Sequence, residues 1–150
     1  MISKTGEYAL RVVLYIARAG EDGPVRATDA ATNLRLPGNY LSKILHTLAR
    51  SGVLDSERGR HGGFVLARPA HRITLAEVLE PFEQMSERRE CLLGRPVCSD
   101  RAPCAAHAQW KTVSDTVHDF FGRTTVADLA GEPASRPERS RKGASHVGVR

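Results

Sequence analysis

The chain of 150 residues is predicted to be mainly α-helical, with one small β-hairpin and a long helix near the C-terminal end. Three observations support this fold class. Apolar residues recur at helical spacing in three segments before residue 52. Two short β-prone runs then flank a loop rich in glycine and arginine. A further, longer amphipathic stretch follows residue 104. This order is typical of a winged helix-turn-helix domain with a long C-terminal helix.

The first three predicted helices are separated by residues that end helices. Helix 1 covers residues 6–18, helix 2 covers residues 27–34, and helix 3 runs from residue 40 to about residue 51. The turn 35–38 contains Pro and Gly, and helix 2 has an alanine-rich face that allows close approach. Two short helices joined in this way predict a helix-turn-helix.

The hairpin that follows is predicted to be a wing. Its strands are the β-prone runs 53–57 and 64–67. A short helix is predicted next over residues 74–82, where Thr74 and Glu77 have the spacing of a capping box.

The C-terminal part contains an amphipathic helix predicted over residues 104–121. Its apolar stripe exceeds what a small domain needs for its own core, and a symmetric homodimer is the simplest arrangement that covers it. The predicted dimer-interface residues are Trp110, Val113, Val117 and Phe120. A capped helix is expected over residues 125–130.

Three regions are therefore expected along the chain. Residues 1–85 form the winged DNA-binding domain, residues 86–130 form a polar, cysteine-bearing loop and the dimerisation helix, and residues 131–150 form a disordered basic tail.

Positive charge is concentrated in the winged segment. Residues 26–72 carry eight basic and three acidic side chains, a net +5 that equals the net charge of the whole chain. Such a segment is typical of a face that binds a polyanion, while a merely solvated basic face or a protein-docking winged helix is the alternative. Helix 3 would present side chains to base edges of a double-stranded DNA operator, and the wing would contact a minor groove or phosphates. The candidate DNA-binding residues are Asn39, directly before helix 3, Tyr40, Ser42, Lys43 and His46 in helix 3, and Arg58, Arg60 and His61 in the wing.

The chain has no apolar run long enough to cross a membrane and no signal-peptide pattern at its start. We therefore expect a cytoplasmic protein with no membrane partner. Its three cysteines would then be reduced, and an odd number within fourteen residues indicates metal or redox chemistry rather than a disulfide scaffold. An enzyme is not expected, because no acid–base constellation accompanies them.

The metal-ligand candidates are Cys91, Cys98, Cys104 and His107. Zinc sites usually pair cysteines two to four residues apart, and this spacing is wider, which suits an iron–sulfur cluster with thiolate ligands. Three thiolates leave such a cluster one ligand short of the four that it needs. His107 follows Cys104 by one turn of the predicted helix, so both side chains are expected to face the same way. An ordinary surface histidine, buried structural cysteines, and a zinc or thiol sensor are the alternatives.

The chain resembles the IscR/NsrR-type (Rrf) family of bacterial iron–sulfur winged-helix regulators over residues 1–130. The resemblance lies in Gly6–Arg11, Tyr40–Lys43, Ser51–Leu54, Arg58–Phe64, Ile73–Val78, the three cysteines and Thr125–Leu129.

The resemblance implies a homodimeric repressor or activator with a cluster beside the dimer helix of each half. In IscR-like proteins a histidine three residues after the last cysteine completes a [2Fe–2S] cluster, and His107 matches it. In NsrR-like proteins a carboxylate from helix 1, contributed across the dimer, completes the site, and Glu7 occupies that position. A [2Fe–2S] cluster is favoured over [4Fe–4S], with Glu7 as the alternative fourth ligand.

Overall fold

The computed structural model describes residues 2–20, 22–83 and 91–131. Within these residues the elements are, in order, α1 (Lys4–Arg18), α2 (Ala27–Leu34), α3 (Gly38–Arg50), β1 (Leu54–Glu57), β2 (Gly63–Leu66), a 3₁₀ turn (Ala70–Arg72), α4 (Leu75–Glu83), α5 (His107–Arg123) and α6 (Val126–Ala130). The mainly α fold with a small wing is confirmed. The predicted basic tail, apart from residue 131, lies outside the described residues.

The helix-turn-helix forms because small side chains let α2 and α3 pack closely. Ala30 and Ala31 of α2 are buried. Arg35 ends α2 in the left-handed conformation, at φ 54° and ψ 49°. The side chain of Arg11 on α1 donates to the carbonyl oxygen of Leu34 at 2.8 Å, which places a cation at the end of α2 where the helix dipole favours it.

The wing is an antiparallel hairpin in which Leu54 pairs with Leu66 and Glu57 pairs with Gly63. Phe64 also forms an isolated bridge with Val25, through hydrogen bonds of 2.8 and 3.0 Å. The wing is thereby attached to the segment that precedes α2.

The main core lies between α1, α3 and the base of the wing. Full burial of one such apolar side chain contributes about 1.5–3 kcal/mol. The largest fully buried side chains of this core include Ile16, Leu41, Ile44, Leu45, Leu48 and Leu54.

A capping box begins each of the helices α4 and α6. The backbone N–H of Thr74 donates to Glu77 at 2.8 Å, as the sequence predicted, and Thr125 and Asp128 form the second box. The N–H of Leu75 donates to the carbonyl of Thr124 at 3.0 Å, which brings the end of α5 against the start of α4.

The start of α5 differs from the prediction. Cys104 and the two residues after it precede the helix, which begins at His107 and runs to Arg123. Cys104 has no side-chain oxygen to cap the first turn, and its carbonyl accepts the N–H of His107 at 3.0 Å in a tight turn. The expectation that Cys104 and His107 share one helical face is therefore wrong.

Candidate metal centre and nucleic-acid interface

The exposed side of α3 carries the residues predicted to read DNA. Asn39, Tyr40, Lys43 and His46 are exposed at the protein surface, and Ser42, which is half-buried, lies between them. The opposite side is buried through Leu41, Ile44, Leu45 and Leu48. Because the surface positions are three or four residues apart, α3 presents one polar side to solvent.

Two of these residues also contact the protein. The Tyr40 hydroxyl is hydrogen-bonded to the Thr5 hydroxyl, and its ring meets Tyr8 edge-on at 6.0 Å between centroids. The His46 ring meets Phe64 edge-on at 5.7 Å. Tyr40 therefore links α3 to α1, and His46 links α3 to the wing.

The wing tip carries exposed cationic side chains, and its backbone is hydrogen-bonded to the segment before α2. Arg58, Arg60 and His61 are exposed. Gly59 has φ 115°, a conformation that other residues rarely adopt. The side chain of Arg26 donates to the carbonyl oxygen of Arg60 at 2.6 Å, so the tip is anchored through its backbone while the Arg60 side chain stays exposed.

Cys91 lies at the start of a tight turn closed by Gly94, whose N–H donates to the Cys91 carbonyl at 2.9 Å. Hydrogen bonds from the backbone N–H groups of Arg95, the larger contribution, and Leu93 lower the pKa of the Cys91 thiol from its ordinary value of 9.0. The thiol of Cys104 contributes a smaller part of the same shift, so the two thiols interact. The turn thus favours a thiolate at Cys91.

Cys98 and His107 form a second pair, with Sγ 3.4 Å from Nδ1. The His107 side chain is buried, with 7% of the residue exposed. Its Nε2 lies 2.8 Å from Oδ1 of Asp100, and both oxygens of Asp100 are 3.0 Å from Nζ of Lys111. The hydrogen bond from His107, the larger contribution, and that from Lys111 lower the pKa of Asp100 to about 2.

Glu7 is engaged by cations of its own helix. Its carboxylate lies 2.6 Å from Nζ of Lys4 and 3.7 Å from a guanidinium nitrogen of Arg11. The hydrogen bond from Lys4 is the main reason that the pKa of Glu7 is lowered.

The donors fit a two-iron cluster in number and chemistry. Within the described ranges no three such side chains are arranged to hold one metal ion. Cys98 contacts His107, and the Cys91 thiol interacts with that of Cys104, so the four donors form two pairs. A sulfur and a nitrogen bound to one tetrahedral ion lie about 3.6 Å apart, close to the Cys98–His107 distance. In a [2Fe–2S] cluster four protein ligands serve two irons, which matches two pairs.

Sequence reasoning missed Asp100 and Lys111. Lys111 follows His107 by four residues and so lies on the same side of α5, a spacing the sequence contains. Asp100 is brought to His107 and Lys111 by the conformation of the loop, and a loop conformation leaves no periodic pattern in the sequence.

Comparison with known proteins identifies the family. The family model for Rrf2, described as an iron-dependent transcriptional regulator, matches residues 2–132. The chain belongs to the Rrf2 family. This Rrf2 protein is a transcriptional regulator similar to IscR and CymR, and not an enzyme. In the part of the chain that the structure describes, no helix is long and apolar enough to cross a bilayer.

Individual relatives agree with this assignment. A provisionally assigned HTH-type transcriptional regulator of Aquifex aeolicus is 34% identical over 131 residues, covering 86% of this chain and 90% of the relative. IscR of Xenorhabdus nematophila is 29% identical over 128 residues, covering 85% and 77%.

Solved structures show the same fold. CymR, the global cysteine regulator of B. subtilis, superposes with a TM-score of 0.73 at 27% identity, covering 87% of this chain and 95% of CymR. T. potens IscR has a TM-score of 0.70 at 22% identity, covering 86% and 85%, a likeness of fold.

Proposed function

We propose that this Rrf2 regulator holds a [2Fe–2S] cluster through Cys91, Cys98, Cys104 and His107, and that the cluster controls binding of a homodimer to a DNA operator. The observation that carries the proposal is the contact between two of the four donors, Cys98 Sγ and His107 Nδ1, at 3.4 Å. The family's description as iron-dependent supports it. When bound, the cluster would supply a centre sensitive to oxidation, nitric oxide or iron supply.

The chain's own residues prepare the site. The turn at Cys91 directs two backbone N–H groups at its sulfur and favours the thiolate, the form that binds iron. Burial of His107 against Cys98 restricts its ring.

A continuous series of contacts runs from α5 to α3. Phe121 of α5 packs in one cluster with Leu79 of α4. Glu83 at the end of α4 accepts from the backbone N–H of Ser3 at 2.9 Å, at the start of α1. The hydroxyl of Thr5 on α1 is in turn hydrogen-bonded to that of Tyr40 on α3. We infer that a change at the cysteine loop reaches α3 through this series, by shifting the population of the DNA-competent arrangement.

The homodimer is supported by apolar surface that the described part of one chain leaves exposed. Val113 and Phe120 of α5 are 53% and 52% exposed. Leu92, Leu93 and Val97 in the cysteine loop are exposed as well. An apolar surface of this kind marks a protein interface, and a second copy places the two wings for two operator half-sites.

A thiol sensor is the second candidate, favoured by the interaction between the thiols of Cys91 and Cys104 that lowers the pKa of Cys91. An oxidant such as a peroxide would take two electrons from this pair, leaving a disulfide and releasing two protons. The iron and sulfide content of protein purified without oxygen separates the two candidates.

The wing prediction tests the DNA-binding half of the proposal. Replacing Arg58 and Arg60 with alanine is expected to weaken binding to a fluorescent random-sequence DNA duplex. The salt slope should fall by about 0.9 for each phosphate that the variant no longer neutralises. Fluorescence anisotropy over a salt titration measures both.

Arg123→Ala is the matched control for the wing, because Arg123 is an exposed arginine on α5, 3.6 Å from Asp119 and outside the winged segment. It should leave affinity and slope close to wild type. Equal affinity and slope for the double wing variant and wild type would show that the wing does not contact DNA.

A further inference from the structure

Asp100 joins the cysteine loop to one side of α5. Its Oδ1 lies 2.8 Å from Nε2 of His107, and both of its oxygens lie 3.0 Å from Nζ of Lys111. His107 and Lys111 are four residues apart on α5, so a single carboxylate reaches both side chains.

This contact decides which nitrogen of His107 is free. A carboxylate only accepts hydrogen bonds, so the hydrogen of a neutral His107 ring lies on Nε2 and is donated to Asp100. Nδ1 then carries no hydrogen, and its lone pair faces Sγ of Cys98 at 3.4 Å.

We propose that Asp100 is a positioning residue that fixes the His107 ring so that Nδ1, next to the Cys98 sulfur, is the nitrogen available to a metal. The inference deepens the proposed function and rests on it, since it takes His107 as a ligand. Metal-binding histidines usually donate their second ring N–H to a carboxylate or carbonyl, which sets tautomer and ring orientation. Lys111 holds the carboxylate in place on its other side.

A purely stabilising ion pair explains this arrangement less well. The Asp100 side chain is 67% exposed, and ion pairs between exposed groups contribute little to folding. The bond to His107 is different because the imidazole is buried, so its N–H needs a partner inside the protein.

The first test measures the His107 tautomer in the metal-free, reduced full-length chain. Long-range ¹H–¹⁵N NMR of uniformly ¹⁵N-labelled protein at mildly alkaline pH should show Nε2–H for wild type. Asp100→Ala should give mixed tautomers. Asp100→Asn should keep Nε2–H, because its amide oxygen still accepts. Asp119→Ala, a carboxylate elsewhere on α5, is the control and should match wild type.

The second test loads wild type and variants with ferrous iron and sulfide without oxygen and follows loss of the cluster to a chelator. Asp100→Ala should lose it about 10- to 100-fold faster, in line with the 10- to 100-fold loss of metal affinity that follows removal of such outer partners. Asp100→Asn should lie near wild type. In reduced, loaded protein, the hyperfine couplings between the cluster and the ¹⁵N nuclei of the His107 ring should indicate ligation through Nδ1 in wild type. The same couplings should show altered ligation in Asp100→Ala.

The outcomes separate the two proposals. Wild type that takes up no iron and sulfide overturns the proposed cluster, while the NMR result still decides whether Asp100 orients the ring. Wild type that loads, together with Asp100→Ala that keeps the wild-type tautomer, couplings and rate of loss, overturns the positioning role alone.

Discussion

Replacing His107 with alanine is expected to abolish or greatly weaken binding of a [2Fe–2S] cluster, whereas Glu7→Ala is expected to leave the cluster bound. His107 already lies 3.4 Å from the Cys98 sulfur within one chain. The Glu7 carboxylate is engaged by Lys4 at 2.6 Å, and a carboxylate is a harder ligand than imidazole for an iron bound to thiolates. Iron and sulfide analysis with visible absorption after anaerobic loading measures the difference.

His118→Ala is the matched control, since His118 lies on the same helix further from the cysteine loop. It should load like wild type. A Glu7→Ala protein that holds no cluster, beside a His107→Ala protein that does, would reverse the assignment in favour of a carboxylate ligand contributed across the dimer.

Phe120→Asp is expected to convert a dimer into a folded monomer and to abolish tight operator binding. Phe120 is exposed in one chain, so the substitution is tolerated in the monomer, but it would bury an unpaired charge in the proposed interface, at a cost of several kcal/mol. Loss of the partner also removes the gain from binding two half-sites at once. Sedimentation at micromolar concentration and DNA binding measure both effects.

The structure also selects which residue of the predicted stripe suits this test. Val117 packs with Leu75, Leu79 and Phe121 of its own chain, so Val117→Asp would damage the monomer core as well. Thr112→Asp, at an exposed polar position of α5 that lies roughly 80–100° around the helix from Val113 and Phe120, is the control and should remain dimeric. A wild-type protein that sediments as a monomer would refute the interface.

The helices and the wing could be predicted because their signals are local. The apolar spacing of α1 and α3, the alanines of α2 and the capping box of Thr74 and Glu77 each act within a few residues, and the structure confirms them. The stripe on α5 was also visible, but sequence alone does not tell which of its members pack inside the chain. Phe121 and Val117 do so because the bond between Leu75 and Thr124 brings α5 onto α4.

The ligand set could be proposed from spacing, but its arrangement could not. The sequence predicts Cys104 beside His107 on one helix, whereas the loop brings Cys98 to His107 and leaves Cys104 before α5, where its thiol interacts with that of Cys91. The turn at Gly94, with φ 72°, and the path that carries Asp100 to α5 determine this arrangement. Neither has a periodic signature in the sequence.

Control of DNA binding by a cluster is tested most simply by the iron and sulfide content of the full-length protein purified without oxygen, measured together with its affinity for an operator selected from random DNA. We predict a coloured protein with about two irons and two sulfides per chain. We also predict an operator affinity that changes when the cluster is removed. A colourless protein with about one zinc ion per chain, or operator affinity that is the same with and without the cluster, would contradict cluster-controlled DNA binding.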